Sequence, residues 1–327
     1  MRAPDRDDLS QVRMLPYTLA DPRLQQPHPV RALDGATSYL SVHVAQEVGY
    51  RPLRVDVHLP DQGNGPFPVV LYAHGGAFVG GVKEIGPWAA LPGRGVAVVS
   101  VEYRLAGEAI FPAPIRDIET VWCWLMATGE QFRLDSERIA LWGSSAGAYL
   151  IGGAVLAIAG TGSEELESAR ATLSGVVLHY PPVDFAHMLM QWRECPELAE
   201  GLRNSMRALF GVDYAVPAAV PAHTSLVEAV AGAAALPPFH VAHGDADTVV
   251  PLSQSVLLCE ALRRRGVPAG LQVVAGEEHA TAAFSTWEVV RPAAEFLESV
   301  WNAPTADLGA RVASATASGT QSFDLST

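Results

Sequence analysis

Short, nearly unbroken apolar runs recur along this chain, each followed by a longer stretch of helical period. That alternation restricts the fold more than any other feature of the sequence. Val69-Val70-Leu71-Tyr72, Val96-Ala97-Val98-Val99-Ser100-Val101 and Arg138-Ile139-Ala140-Leu141-Trp142 carry almost no polar alternation. A strand with one wet face would show it, so these runs read as strands covered on both sides. Gly175-Val176-Val177-Leu178-His179-Tyr180, Phe239-His240-Val241-Ala242 and Leu271-Gln272-Val273-Val274 continue the series. Helical patterns lie at 114–130, 145–160, 251–265 and 282–301, with Pro251 suited to a first turn and Gly266 to a C-terminal stop. The expectation is an α/β chain with a mostly parallel central sheet flanked by helices. Leu53, Val55, Val57 and Leu59 alternate with polar residues and run into Pro60-Asp61-Gln62-Gly63, which predicts a half-exposed antiparallel strand at the sheet edge.

One stretch breaks the rhythm. Within 183–236, Met188, Met190, Trp192, Leu198, Leu202, Met206, Leu209 and Phe210 recur at helical spacing over a length too great for a simple connection, which predicts an inserted helical cap. Residues 1–30 are polar and Pro-punctuated and 303–327 are Ala/Ser/Thr-rich, so an N-terminal arm and a flexible C-terminal tail are expected around a 31–302 domain. With 49% hydrophobic residues among 327, the chain has ample material for a core, and general disorder is excluded. Asp plus Glu number 35 against 22 Lys plus Arg, and a formal charge of −13 repels phosphate backbones, so nucleic acid is excluded as an expected partner. Cys123, Cys195 and Cys259 are odd in number and widely spaced, suggesting neither a disulfide framework nor a zinc site. The N-terminal MRAPDRDDLS lacks the apolar stretch of a signal peptide, and no window reaches the roughly 18 apolar residues of a membrane span, so a cytoplasmic protein is expected.

Chemistry concentrates at the strand ends. Gly143-Ser144-Ser145-Ala146-Gly147 follows the 138–142 strand and leads straight into a helical run. So abrupt a reversal forces the central Ser145 onto a strained elbow, with small residues two before and two after it to avoid collision. His74-Gly75-Gly76-Ala77-Phe78 follows the 69–72 strand, where bare amides can approach an anion. Gly75, Gly76 and Ala146 are the candidate oxyanion donors, although glycines here could also simply make a turn. His243-Gly244-Asp245-Ala246-Asp247 places carboxylates on a loop after the 239–242 strand. Asp247, deeper in the loop and just before Val-Val-Pro, is preferred as the acid, with Asp245 its competitor. His279 lies in a further strand-end loop, Gly276-Glu277-Glu278-His279-Ala280, as candidate general base. Phe78, Met188, Met190 and Trp192 are candidates for an apolar substrate wall, or equally for packing the cap onto the body.

From about residue 50 to 300 the chain resembles an α/β-hydrolase, and more narrowly the hormone-sensitive-lipase-like carboxylesterases and their bacterial acetyl and feruloyl esterase relatives. Besides the glycine loop and the elbow, Tyr103-Arg104-Leu105-Ala106-Gly107-Glu108 with Phe111-Pro112-Ala113 and Asp117 is similar to a stretch of that family. The resemblance implies Ser145 as nucleophile, His279 as base, Asp247 as acid, and Gly75, Gly76 and Ala146 as the oxyanion hole. It implies a structural role for Arg104, Glu108 and Asp117, and a buried ion pair from Arg104 to one of those acids is expected. Ala77 replaces a third glycine and Ser144 an Asp or Thr of the lipase-like branch, which weakens transfer of substrate preference. The implied activity is hydrolysis of small to medium uncharged acyl esters through an acyl-enzyme, with no metal or organic cofactor. An acyltransferase, amidase, peptidase or thioesterase could use the same residues, and a non-catalytic ligand receptor is the remote alternative. Pairing of two copies through a late strand or helix is a family expectation only.

Overall fold

The computed structural model describes residues 28–46, 51–160, 162–214, 216–233 and 235–302. Nine strands form one sheet: β1 Val30–Leu33, β2 Ala36–Ala45, β3 Leu53–Pro60, β4 Phe67–Ala73, β5 Ala97–Glu102, β6 Leu134–Ser144, β7 Gly175–His179, β8 Phe239–Gly244 and β9 Ala269–Val274. Their order is β1-β2-β3-β5-β4-β6-β7-β8-β9. From β5 to β9 every pairing is parallel. The first three strands are antiparallel to their neighbours.

The strand pleat explains why the central runs are apolar at every position. Val69, Leu71 and Ala73 of β4 enter the larger core cluster, while Val70 and Tyr72 enter a second cluster on the opposite face. The first face is covered by α1 (Ala113–Thr128), α2 (Ala146–Val155) and α7 (Ser253–Arg264), through residues such as Ile118, Trp122, Leu150 and Leu258. The second is covered by α8 (Trp287–Trp301), through Val290, Phe296 and Leu297, together with Trp88. Between them α3 (Glu164–Thr172) continues the connection from β6 to β7, with the Ser163 hydroxyl accepting from Leu166 N–H at its start.

The mostly parallel, helix-flanked sheet agrees with the sequence expectation, with three differences. The 53–59 strand is antiparallel as expected but neither at the edge nor half-exposed, because β1 and β2 lie outside it and every residue of β3 except Arg54 is buried. Val30, assigned to an arm, opens β1; the rest of the expected arm up to residue 27, and the expected tail 303–327, fall outside the described residues. The 282–301 helix is divided: a short 3-10 turn over Ala282–Ser285 precedes α8, with Thr286 extended between them (φ −76°, ψ 149°). Segment 183–236 is helical, containing α4 (Phe185–Gln191), α5 (Pro196–Phe210) and α6 (Leu226–Gly232). Among the described residues no helix is long and apolar enough to cross a membrane.

The expected ion pair is present. Arg104, 12% exposed, meets Asp117, 2% exposed, with Nη2 to Oδ1 at 2.6 Å. Asp117, at the same time, accepts the Arg104 backbone N–H at 2.8 Å, so it pins the turn after β5 to α1. Glu108 instead accepts from Arg51 Nε at 2.6 Å.

Three buried imidazoles make the fold acid-sensitive. Burial holds His58 at about 4, helped by the nearby Lys83 charge. His179 is held at about 3 by burial and by the neighbouring His240 and His243, and burial likewise holds His240 at about 4. A histidine with a lowered folded pKa contributes stability that is complete above the unfolded value near 6.5 and declines as pH falls toward the folded value. Each ring therefore weakens the fold progressively as pH falls from 6.5 toward 4. Urea melts from pH 7 to 4.5 should show the midpoint falling below 6.5, with unfolding accompanied by proton uptake. A flat midpoint across that range would contradict neutral burial of these rings.

Candidate active site

β6 ends at Ser144 and α2 starts at Ala146, which leaves Ser145 alone to reverse the chain. Its φ of 51° and ψ of −118° lie outside the regions an L-residue prefers. The elbow is anchored by Ser145 N–H donating to the His179 carbonyl of β7 at 2.9 Å. The flanking glycines are required by space: a Cβ at Gly143 would come within 2.4 Å of the Gly147 carbonyl oxygen, and one at Gly147 within 2.2 Å of Ala73 O.

The structure brings the three separated motifs together at the carboxyl ends of the strands. Ser145 Oγ lies 2.9 Å from His279 Nε2. His279 Nδ1 lies 2.7 Å from Asp247 Oδ2 and must donate to it, since an ionised carboxylate only accepts. Asp247 Oδ1 accepts the backbone N–H groups of Val249 at 2.9 Å and Val250 at 2.8 Å. Its side chain is fully buried. Burial by itself would raise the carboxyl pKa, but hydrogen bonds from His243 and His279, the His279 charge and the Val250 amide outweigh it and hold the group well below the usual carboxylate range. The competitor Asp245 turns elsewhere: its Oδ1 accepts Gly276 N–H at 2.6 Å, bracing the loop that carries His279. Glu278 adds a second brace, accepting from both the backbone N–H and the hydroxyl of Thr248 at 3.0 Å.

The glycine loop passes directly beside the elbow. A Cβ at Gly75 would lie 3.3 Å from Ser145 Cβ, and Gly76, with φ +127°, would drive a Cβ to 2.2 Å from the Gly80 carbonyl oxygen. Ala77 and Phe78 continue with positive φ of 51° and 67°. Ala146 is the first residue of α2, so its N–H has no acceptor within the helix. Gly75 thus lies beside Ser145, next to the free N–H of Ala146, and Gly76 follows it in the loop. The loop is held from behind by Tyr103, whose hydroxyl donates to the His74 carbonyl at 2.9 Å while its ring stacks on the His74 imidazole at 4.4 Å. Lys83 closes the loop's exit with a contact to buried Asp56 at 3.2 Å.

Phe78, Met188 and Trp192 are only 3%, 1% and 7% exposed and belong to the main core. Phe78 meets Tyr149 and Phe185 edge-on at 5.7 and 6.3 Å, an aromatic group joining the glycine loop, α2 and α4. Of the four candidate wall residues Met190 alone is strongly exposed, at 51%. It lines a cavity of about 660 Å³ on the helical segment, beside Arg193, Arg203, Arg207, Glu200 and Asp213. Sequence spacing had not suggested that arginine grouping.

Other contacts had no assigned role in the sequence reading. His243 was visible only as the first residue of the Asp247 motif, yet its Nε2 lies 3.2 Å from Asp247 Oδ2. Tyr180, at φ 39°, sets its ring edge-on to His279 at 4.8 Å.

Comparison with known proteins decides the family. The BD-FAE family model matches residues 55–262 of the 327. This chain belongs to the BD-FAE family. The matched span of this BD-FAE chain runs from β3 into α7 and includes the glycine loop, the elbow and Asp247 but ends before His279. Over 203 residues the chain is 30% identical to "Esterase LipC" of Mycobacterium tuberculosis, covering 61% of this chain and 49% of that protein. Over 155 residues it is 32% identical to "Versiconal hemiacetal acetate esterase" of Aspergillus parasiticus, covering 46% and 48%. It thus spans about half the length of these curated relatives. Among solved structures, a truncated carbohydrate esterase from gut microbiota aligns with a TM-score of 0.67 and 23% identity, over 85% of this chain and 100% of that one. A bacterial heroin esterase aligns with a TM-score of 0.63 and 25% identity, over 82% and 84%. The BD-FAE chain accordingly has the α/β-hydrolase fold.

Proposed function

We propose that this protein is a serine carboxylesterase that hydrolyses small to medium uncharged acyl esters through a Ser145-His279-Asp247 triad. The observation that carries the reading is the unbroken line of hydrogen-bond distances from Ser145 Oγ through His279 to buried Asp247. The esterase names of the relatives support the same class of reaction.

In this mechanism His279 Nε2 takes the Ser145 proton as Oγ attacks the ester carbonyl, while Asp247 keeps the Nδ1 proton in place and stabilises the imidazolium. The Gly75, Gly76 and Ala146 amides receive the developing oxyanion, each donor being worth roughly 3 kcal/mol in such sites. His279 then returns the proton to the leaving alcohol, and water repeats the cycle on the acyl-enzyme. Helices α4 to α6 would act as a cap. The close-packed rings of Phe78, Phe185 and Tyr149, the last one turn along α2 from Ser145, leave little room on that side of the elbow, which favours short acyl chains over long ones.

A fluorophosphonate probe should attach to Ser145 in the folded protein, located by peptide mass. p-Nitrophenyl esters from acetate to decanoate, with feruloyl and amide substrates alongside, should give a profile that peaks at the short end. Failure of the probe to react with the folded wild type would overturn the nucleophile assignment, and preferential transfer to added alcohol or amine would replace hydrolysis by acyl transfer.

A further inference from the structure

Asp247 is held by two imidazoles, not one. His243, at the end of β8, is completely buried. Its Nε2 lies 2.7 Å from the Val250 carbonyl oxygen and 3.2 Å from Asp247 Oδ2. Both neighbours can only accept, so Nε2 carries a proton in either charge state of the ring. Nδ1 meets the Ser255 hydroxyl of α7 at 2.6 Å. Thus Oδ2 is shared by His279 and His243, and Oδ1 by two backbone amides.

We propose that His243 is a positioning residue for ester hydrolysis: its Nε2–H, donated to the Val250 carbonyl, also faces Asp247 Oδ2 at 3.2 Å and helps fix the carboxylate's place and strength as a partner of the catalytic imidazole. The proposal rests on the acyl-transfer reading of Ser145, His279 and Asp247. With the His243 ring filling the space 3.2 Å from Oδ2, the carboxylate is hindered from swinging away from His279 and lengthening its bond to it. The second donor also draws charge from Oδ2, which tempers how strongly the carboxylate favours the imidazolium. Ser255 orients the His243 ring, so the start of α7 is part of the same line of contacts. Of the other ionisable or charged groups at hand, the two acids have other engagements. Glu278 binds Thr248 and Asp245 binds Gly276. Tyr180 faces His279 with a ring edge, and the buried His179 on β7 has no hydrogen-bond partner for either ring nitrogen among the described residues.

The experiment compares His243→Leu, His243→Gln and Ser255→Ala with the wild type, using p-nitrophenyl butyrate from pH 5 to 9 and fluorophosphonate titration to count reactive Ser145. In His243→Leu, kcat should fall about three- to tenfold, the factor for a lost polar contact of ordinary strength, with KM little changed. The acid limb of its kcat/KM profile should move up by about half a pH unit or more, because an untempered carboxylate favours the imidazolium. His243→Gln places an amide donor near the Nε2 position and should recover most of both effects. A residue that merely held the loop would lower stability without moving the limb. Wild-type kcat and limb in a folded His243→Leu, or equal behaviour of the Leu and Gln variants, would overturn the proposal. If His243→Leu does not fold, Ser255→Ala decides: a limb shift in the same direction supports the role and an unmoved limb overturns it. A wild type that does not react with the fluorophosphonate refutes the acyl-transfer reading instead, which separates the two failures.

Discussion

Ser145→Ala is expected to lower ester turnover by about five orders of magnitude or more while leaving the fold intact. The size follows from the interdependence of the three side chains. Without Oγ there is no bond to form, and His279 and Asp247 have nothing to activate; what remains is water attacking an ester polarised by the Gly75, Gly76 and Ala146 amides. The fold should be indifferent because the strain at position 145, with φ 51° beside α2, comes from the backbone and Cβ, which alanine shares. The lost contact is a single bond at 2.9 Å to an imidazole that Asp247 still holds from its other side. Calorimetry should therefore show an unfolding temperature within a few degrees of wild type, and fluorophosphonate labelling should vanish. Near-normal turnover in a well-folded Ser145→Ala protein would remove the whole hydrolytic account. Lost activity accompanied by lost folding would mean that the hydroxyl serves the elbow itself, and Ser145→Cys, which keeps a nucleophile, would then separate structure from chemistry.

The parts of this molecule legible in the sequence are those whose physics is local. Continuous apolar runs such as Val69–Tyr72 mark doubly covered strands because both faces must be dry, and the loops after those strands displayed Ser145, Asp247 and His279 in order. Strands β1 and β2 were missed because their pattern is neither continuous nor cleanly alternating. In β2 the register shifts between Tyr39 and Val42, where Ser41 adopts φ 57°, so hydrophobic period 2 is interrupted. Once those strands are added outside it, β3 ceases to be an edge. Partner choice was harder still. Arg104 could be expected to pair with Glu108 or Asp117, but only the packing of α1 against the turn after β5 brings Asp117 close and leaves Glu108 to Arg51, 57 positions away. His243 shows the same difficulty at the site: a histidine at the end of an apolar strand looks like any core histidine until the loop folds back and puts Asp247 over it. Met188 and Met190, two positions apart on one short helix, looked equivalent and are not, one buried at 1% and the other exposed at 51%.

Asp247→Asn should lower turnover by about four orders of magnitude, whereas Asp245→Asn should cost less than about tenfold. The geometry explains both. An asparagine at 247 has one oxygen where the carboxylate had two. Placing its NH₂ at the Oδ1 position would set a donor against the Val249 and Val250 N–H groups, which cannot reverse. The amide therefore turns its NH₂ toward the Oδ2 position, where it meets His279 Nδ1, and that imidazole can change tautomer, whereas His243 keeps its Nε2 proton for the Val250 carbonyl. His279 then carries its proton on Nε2, facing Ser145, and cannot accept the one it must remove. At 245 the corresponding substitution leaves an amide oxygen able to accept from Gly276 at the position of the present 2.6 Å bond, so the brace on the His279 loop survives. Steady-state kinetics on both variants, with calorimetry to confirm folding, tests the pair. The tautomer account makes a further demand: the nitrogen chemical shifts of His279 in Asp247→Asn should show the proton moved from Nδ1 to Nε2. A larger loss at 245 than at 247 would exchange the two residues' roles, and a large loss at 247 without the tautomer change would leave the effect to the missing charge alone.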